Sequence, residues 1–419
     1  MTDLRLGTAT ADITPTWPLT LAGFAARTEP AQGVSHPLQV HVSVLETSHD
    51  GSPPRRAVVV VADLLWWAAE DVDSLRQAIA TESGTTPDMV LLSATHTHSG
   101  PQTSHRASRE IGAADPRFTT LLREQVLTAA TAAVAKLEPV TIERFVGSCD
   151  LGFNRRAERN HPGPVDATLT VIRFERANGS PATLWVHFTC HPVITQEPLI
   201  SSEFCGVAMT QVTDRVGAPA IYLQGCCGDI NPVVPGEARS WRGTDREVVQ
   251  AGTMLAEAVT GLLATGTPEP IAPIPLAAHA LAVDLPFDSV PSVELLRERT
   301  SHCGLDGEVA QALLAHPEWC NSTIPLMLQR LDIAAGCSLL AINGEVVVEY
   351  GLRIREWSGG SVLPLGYANG MTGYIPTARI IAEGGYEAGD AAPYFFLPGP
   401  FSPHVESLLD DAIITILAR

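Results

Sequence analysis

Apolar residues fall along this chain in two rhythms. Short, nearly continuous runs such as Val58-Val59-Val60-Val61 and Val90-Leu91-Leu92 read as strands buried on both faces, because no polar residue alternates with them. Strands are predicted at 38–46, 57–63, 88–95, 140–147, 168–175, 182–190, 219–224, 277–284 and 337–342. Elsewhere apolar positions recur every three to four residues, near 70–82, 117–137, 205–216, 246–264, 345–356 and 405–417, which predicts amphipathic helices. The alternation places the chain in the α/β class, as a layered sandwich of mixed or largely parallel sheets with flanking helices. Residues 285–335 interrupt that alternation and read as a helical insertion. No linker, low-complexity tract or repeat divides the 419 residues, so one unit spanning 1–419 is expected.

Residues suited to chemistry sit where the predicted strands stop. Thr95-His96-Thr97-His98-Ser99-Gly100-Pro101 follows the apolar run Met89–Ala94. Two histidines two apart on an extended strand share a side, and imidazole nitrogens suit a zinc that keeps one position open for water. Taken alone, such a pair is more simply explained as satisfied core histidines. Three further strand ends offer ligands: His191 after Trp185-Val186-His187-Phe188, Glu345 after Leu339–Asn343, and Tyr374 in the Gly-rich stretch 367–376. Strand ends are where α/β sheets concentrate their sites.

These segments, in this order, resemble the catalytic N-terminal domain of the neutral (non-lysosomal) ceramidases. The likeness extends to Leu6–Pro15 with Ala22-Gly23-Phe24, to Val59–Leu64, to Gly152-Phe153-Asn154-Arg155, and to Gln224–Pro232. It runs from the first residues past Tyr386 and is poor over 285–335. The resemblance implies a single zinc-dependent catalytic domain over 1–419, without the C-terminal immunoglobulin-like domain of larger members. It also implies one Zn2+ per chain held by His96, His191, Glu345 and Tyr374. His98 is then a proton shuttle rather than a ligand, Arg155 a clamp on a substrate oxygen, and Tyr386 a donor to the developing oxyanion. Glu349, one turn beyond Glu345, is a rival ligand of lower standing. Asp63 and Glu203 are candidates to steady a ligand imidazole from behind.

The departures from that pattern bear on substrate. Ceramidases carry a serine where this chain has Asn231, and an amide cannot act as an alkoxide nucleophile, although it can orient a substrate. The family's Gly-Gly after Ser-Gly-Pro is replaced by Gln102-Thr103, which should re-line the mouth of the site. The expected reaction is hydrolysis of a carboxamide in a small N-acylated compound, ceramide-like or more readily soluble. The same metal chemistry would serve an esterase, a lactonase or an amide-forming cyclase, and a non-catalytic binding homologue is a further class. A nucleophilic Cys226 or Cys227 is a weaker rival, and Ser99 lacks the Gly-x-Ser-x-Gly setting.

Composition narrows the partners. Twenty-seven basic residues against 46 acidic ones leave a net charge of −19, which repels nucleic-acid backbones and anionic lipid surfaces. The N-terminal stretch shows no basic-then-apolar leader, and no apolar run of about 18–20 residues stands out, so a cytoplasmic protein without stable membrane insertion is expected. A homo-oligomer stays open. The eight cysteines, irregularly spaced, form neither a CxxC zinc pattern nor a disulfide framework. His36, His41 and His49 read as structural or solvent-facing, and His187 as a support for the sheet.

Overall fold

The computed structural model describes residues 2–48, 53–233 and 242–419. Its larger sheet runs in the order Ala220–Gln224, Pro181–Phe188, Thr168–Arg176, Glu138–Ser148, Asp3–Asp12, Gln39–Ser48, Arg55–Ala62, Val90–Ala94, with Glu269–Ile271 pairing beside Glu138–Ser148. Only the pairs at the two ends of this order are parallel, and the strands between them pair antiparallel. A second sheet runs Ala277–Pro286, Thr323–Ala334, Cys337–Ile342, Val362–Leu365, with its last pair parallel. The expected α/β sandwich is therefore present, and its sheets are mixed rather than largely parallel.

The apolar runs divide between faces with the strand period of two. Val58 and Val60 join one cluster with Leu75, Ile79, Phe118 and Val126, beneath the helices Val72–Ser83 and Pro116–Val134. Val59, Val61, Leu91 and Trp185 point the other way, against Leu331, Ile333, Leu339 and Leu363 of the second sheet. Each such strand is covered twice, which is why its sequence carries no polar alternation. The helices Glu203–Val216 and Asp245–Thr265 cover the remainder of the large sheet, while Val348–Trp357 and Val405–Leu417 cover the outer face of the second. The result is four layers, helix–sheet–sheet–helix.

Several elements differ from the sequence reading. Strands at Asp3–Asp12, Thr323–Ala334 and Val362–Leu365 were not predicted. Thr323–Ala334 has its apolar rhythm broken by Pro325, Gln329, Arg330 and Asp332, yet it pairs on both sides. The insertion is thus helical at Val293–Arg299, at Leu305–Ala315 and in the short 3-10 turn Pro317–Trp319, and strands enter and leave it. The helix expected from 345 starts at Val348, because Glu345–Val346 pairs in parallel with Tyr374–Ile375. Asp245–Thr265, at 21 residues, does have the length and composition of a membrane span. It is an amphipathic helix whose Val248, Ala251, Leu255 and Val259 pack on Phe204, Val207 and Val212.

Trp185 tests the seam between the sheets. It is fully buried, lies edge-on to Phe174 with ring centroids 5.0 Å apart, and donates its indole N–H to Ser43 Oγ at 3.2 Å. Trp185→Ala should lower unfolding stability by about 3–5 kcal/mol in denaturant titration, and Trp185→Phe by clearly less.

Candidate functional site

The site begins where Val90–Ala94 ends. Thr95 N–H still donates to Ala62 O at 3.0 Å, but His96 then adopts φ +67°, a left-handed conformation that a non-glycine residue takes only when its surroundings enforce it. The strand has therefore stopped before the histidine pair, and strand alternation is not what aligns them. The turn at His96 brings the two rings edge-on, with centroids 4.8 Å apart. Tyr367 stacks on the other side of His96 at 3.8 Å. Gly23 approaches His98 so closely that a Cβ there would lie 2.4 Å from Nδ1.

Each of the three site imidazoles is anchored through Nδ1 to a main-chain carbonyl. His96 reaches Leu65 O at 2.8 Å, His191 reaches Cys227 O at 2.8 Å, and His98 reaches Gly23 O at 3.2 Å. A carbonyl can only accept, so each Nδ1 carries the proton and each Nε2 presents a lone pair. Those lone pairs converge. His96 Nε2 lies 2.9 Å from His191 Nε2, 3.2 Å from His98 Nε2 and 3.1 Å from Glu345 Oε1, and His191 Nε2 lies 3.0 Å from the same oxygen.

Burial and the neighbouring His96 push the His191 imidazole down to about 4, and the same influences hold His98 well below its ordinary value, so both are neutral at pH 7. Burial alone would raise the Glu345 carboxyl, but His96 and His191 beside it hold it well below the usual carboxylate range. Neutral imidazole nitrogens and a carboxylate oxygen aimed at one point form a donor set that repels itself without a cation. This donor set fits a divalent ion such as zinc.

Tyr374 reaches this centre through the pairing that makes it the register partner of Glu345, whose carboxylate is among the charges that bear on its phenol. Arg155 Nη2 donates to the same hydroxyl at 3.1 Å. Arg155 is aimed by Glu387, which takes its Nε–H at 2.7 Å and holds Arg156 Nη1 at 2.7 Å with the other oxygen. The Arg155 guanidinium stands over both the Tyr374 and Tyr386 rings, 5.6 and 5.5 Å from their centroids. Pairing of Gly152–Asn154 with Ile230–Pro232 sets Asn231 beside Arg155, whose Nη1 makes a long 3.5 Å contact with Asn231 Oδ1. A cavity of about 340 Å³ opens onto these groups, with His98, Arg155, Asn231, Tyr374 and Tyr386 in its wall.

Eight of the ten residues singled out from sequence are thus brought together: His96, His98, His191, Glu345, Tyr374, Arg155, Tyr386 and Asn231. His98 is closer to the ligand cluster than the resemblance implied, with its Nε2 among the converging lone pairs. Gln102 and Thr103 do not line the cavity. Gln102 Oε1 accepts the backbone N–H groups of Thr103 and Ser104, and the Thr103 hydroxyl donates to Trp66 O at 2.7 Å, so both side chains are buried among neighbouring main chain.

Asp63 and Glu203 contact no ligand imidazole. Asp63 accepts from Gln39 N and Thr95 Oγ1, Glu203 from Thr195 N and Phe204 N, and main-chain carbonyls occupy the place expected for them. Glu349 pairs with Arg379 and Thr377, away from the histidines. Burial pushes the Cys226 and Cys227 thiols up, and Cys227 matters here through its carbonyl. His187 supports the sheet by donating to Pro364 O at 2.7 Å. His36 and His41 bond Ser201 and Thr10, and His49 lies outside the described residues.

Three residues were missed by the sequence reading. Glu387 adjoins Tyr386 and was discoverable only by asking what balances Arg155. Tyr367 lies in the same Gly-rich stretch as Tyr374. Asp229 accepts from Val348 N at 2.8 Å and Asn154 Nδ2 at 2.7 Å, tying the Glu345 segment to the Arg155 segment.

No protein-family model and no curated protein sequence matches the chain. Among solved structures, the fold is similar to that of a ceramidase complexed with C2, with TM-score 0.79 and 18% identity over 100% of this chain and 75% of that one. It is also similar to the neutral ceramidase from Pseudomonas aeruginosa, with TM-score 0.77 and 20% identity over the same shares. The fold is neutral-ceramidase-like.

Burial behind the site has a measurable cost. Asp63 is pushed up to about 7 by desolvation, which outweighs its two hydrogen bonds. The folded protein therefore holds a proton on Asp63 that the unfolded chain releases near pH 4, so this group's contribution to stability declines as pH rises from about 4 to 7. Asp63→Asn should abolish that decline. The difference in unfolding free energy between variant and parent should grow by up to about 4 kcal/mol across that window, at about 1.36 kcal/mol per pH unit.

Proposed function

We propose that this protein is a zinc-dependent amidohydrolase that cleaves the carboxamide bond of a small N-acylated molecule. The observation that carries the reading is the convergence of Nδ1-anchored imidazoles on the Glu345 carboxylate beside a cavity walled by donors. The ceramidase fold supports the amide as the bond cleaved. His96, His191 and Glu345 would hold the ion, with Tyr374 alongside. Bound there, zinc supplies Lewis acidity and lowers the pKa of water from about 15.7 toward about 7.

The remaining roles belong to side chains of the cavity wall. His98, anchored through Nδ1, presents the Nε2 lone pair in the cavity wall, where it would accept a proton and return it to the leaving nitrogen. Burial raises the Tyr386 phenol, so its hydroxyl stays protonated and donates to the oxygen on which charge develops. Arg155, held from behind by Glu387, fixes a substrate oxygen with its guanidinium fork. Asn231 stands in the cavity wall beside Arg155, where its amide can donate to the substrate or accept from it. With asparagine in place of serine and both adjacent cysteines buried as thiols, attack by water is favoured over a covalent route.

Elemental analysis of protein purified without added metal should find about one zinc per chain, lost in His191→Ala. Protein that holds no zinc and takes none up would sink the reading. His98→Ala should keep the metal and lose turnover by about 10²–10⁴-fold, and a variant with full turnover would remove His98 from the chemistry. A matched amide and ester pair then separates an amidohydrolase from an esterase or lactonase.

A further inference from the structure

We infer, building on the amidohydrolase reading, that the substrate carries an anionic group, a carboxylate in the first instance, which docks on the arginine side of the cavity with Arg159 as a specificity-determining residue. The protein as a whole carries net charge −19. Among the described residues, the wall of this cavity nevertheless includes Arg155, Arg156 and Arg159, with Glu158 and Glu387 beside them. Guanidinium groups are thus gathered where the substrate must sit, and any donors not spent on neighbouring carboxylates are open to an anionic group.

The ion pairs within the wall do not use all of these donors. Arg156 is buried and spent on Glu387 and Glu383, and Arg155 is half spent on Glu387. Arg155 Nη1 nevertheless has only the long 3.5 Å contact with Asn231. Arg159 is 62% exposed, and its ion pair is a 4.0 Å approach to Asp390, itself 69% exposed, a separation and setting in which solvent removes most of the attraction. The Arg159 head is nonetheless located. Nη1 rests over Gly385, where a Cβ would stand 2.8 Å away, and Gly385 directly precedes Tyr386. A guanidinium fork at the rim beside the oxyanion donor matches a planar carboxylate.

The test compares N-octanoylglycine with its neutral isostere N-octanoylglycinamide. Binding is measured by calorimetry on zinc-loaded His98→Ala, and octanoate release on the parent enzyme. The anion should bind on the order of 10-fold or more tightly, with a preference that shrinks at high salt and falls toward one in Arg159→Gln. Arg159→Glu should reverse it. Anion preference in binding with no octanoate released from either compound would uphold this inference and defeat the amidohydrolase reading for such substrates. Equal binding and equal turnover of the pair would overturn the inference and leave the hydrolase intact. An anion preference unchanged in both Arg159 variants would overturn the role of Arg159, and binding of neither compound would overturn the inference.

Discussion

Three main-chain carbonyls, those of Leu65, Cys227 and Gly23, decide what this site is. By accepting the Nδ1 protons of His96, His191 and His98 they leave every Nε2 as a lone pair, and the fold aims those lone pairs at one another and at Glu345. The same donors with the opposite tautomer would be an ordinary buried hydrogen-bonded cluster. Carbonyls serve where carboxylates often orient ligand histidines, and so the ligands gain orientation without added negative charge.

The carbonyls are placed by strand-end loops from distant parts of the chain. The segment Gln224–Pro232 does much of this joining. Cys227 O holds His191, Gly228 N–H bonds Val346 O, Ile230 O accepts from His191 N–H, and Asp229 grips Val348 N and Asn154. Gly228 is required here because a Cβ would stand 2.9 Å from Glu345 O. The block thereby links the His191 and Glu345 segments to the Arg155 hairpin. The second substrate-facing unit, Arg155 with Glu387, Tyr374 and Tyr386, is likewise assembled from segments more than 200 residues apart.

Much of this was legible from sequence. The valine-rich runs declared strands covered on both faces, since burial on two sides removes the alternation a half-exposed strand must show. The His-x-His run, His191, Glu345 and Tyr374 stood out as chemistry placed at strand ends, and the resemblance to neutral ceramidases matched the fold. Local pattern misled where local signals were mixed. Thr323–Ala334 hides a paired central strand behind scattered polar residues, and Glu345–Val346 was drawn into a helix although it forms the short pairing that brings in Tyr374.

By itself, then, the sequence determined the class of layers, the residues with chemical capacity and the segments that carry them, because these follow from period and side-chain type. Only the tertiary structure decided how the capacity is used. It turned His96 through a left-handed bend, selected the tautomers, recruited Glu387 to aim Arg155, and buried Gln102 and Thr103 away from the cavity. Each of those outcomes depends on a carbonyl, carboxylate or backbone N–H whose position a side-chain pattern does not encode.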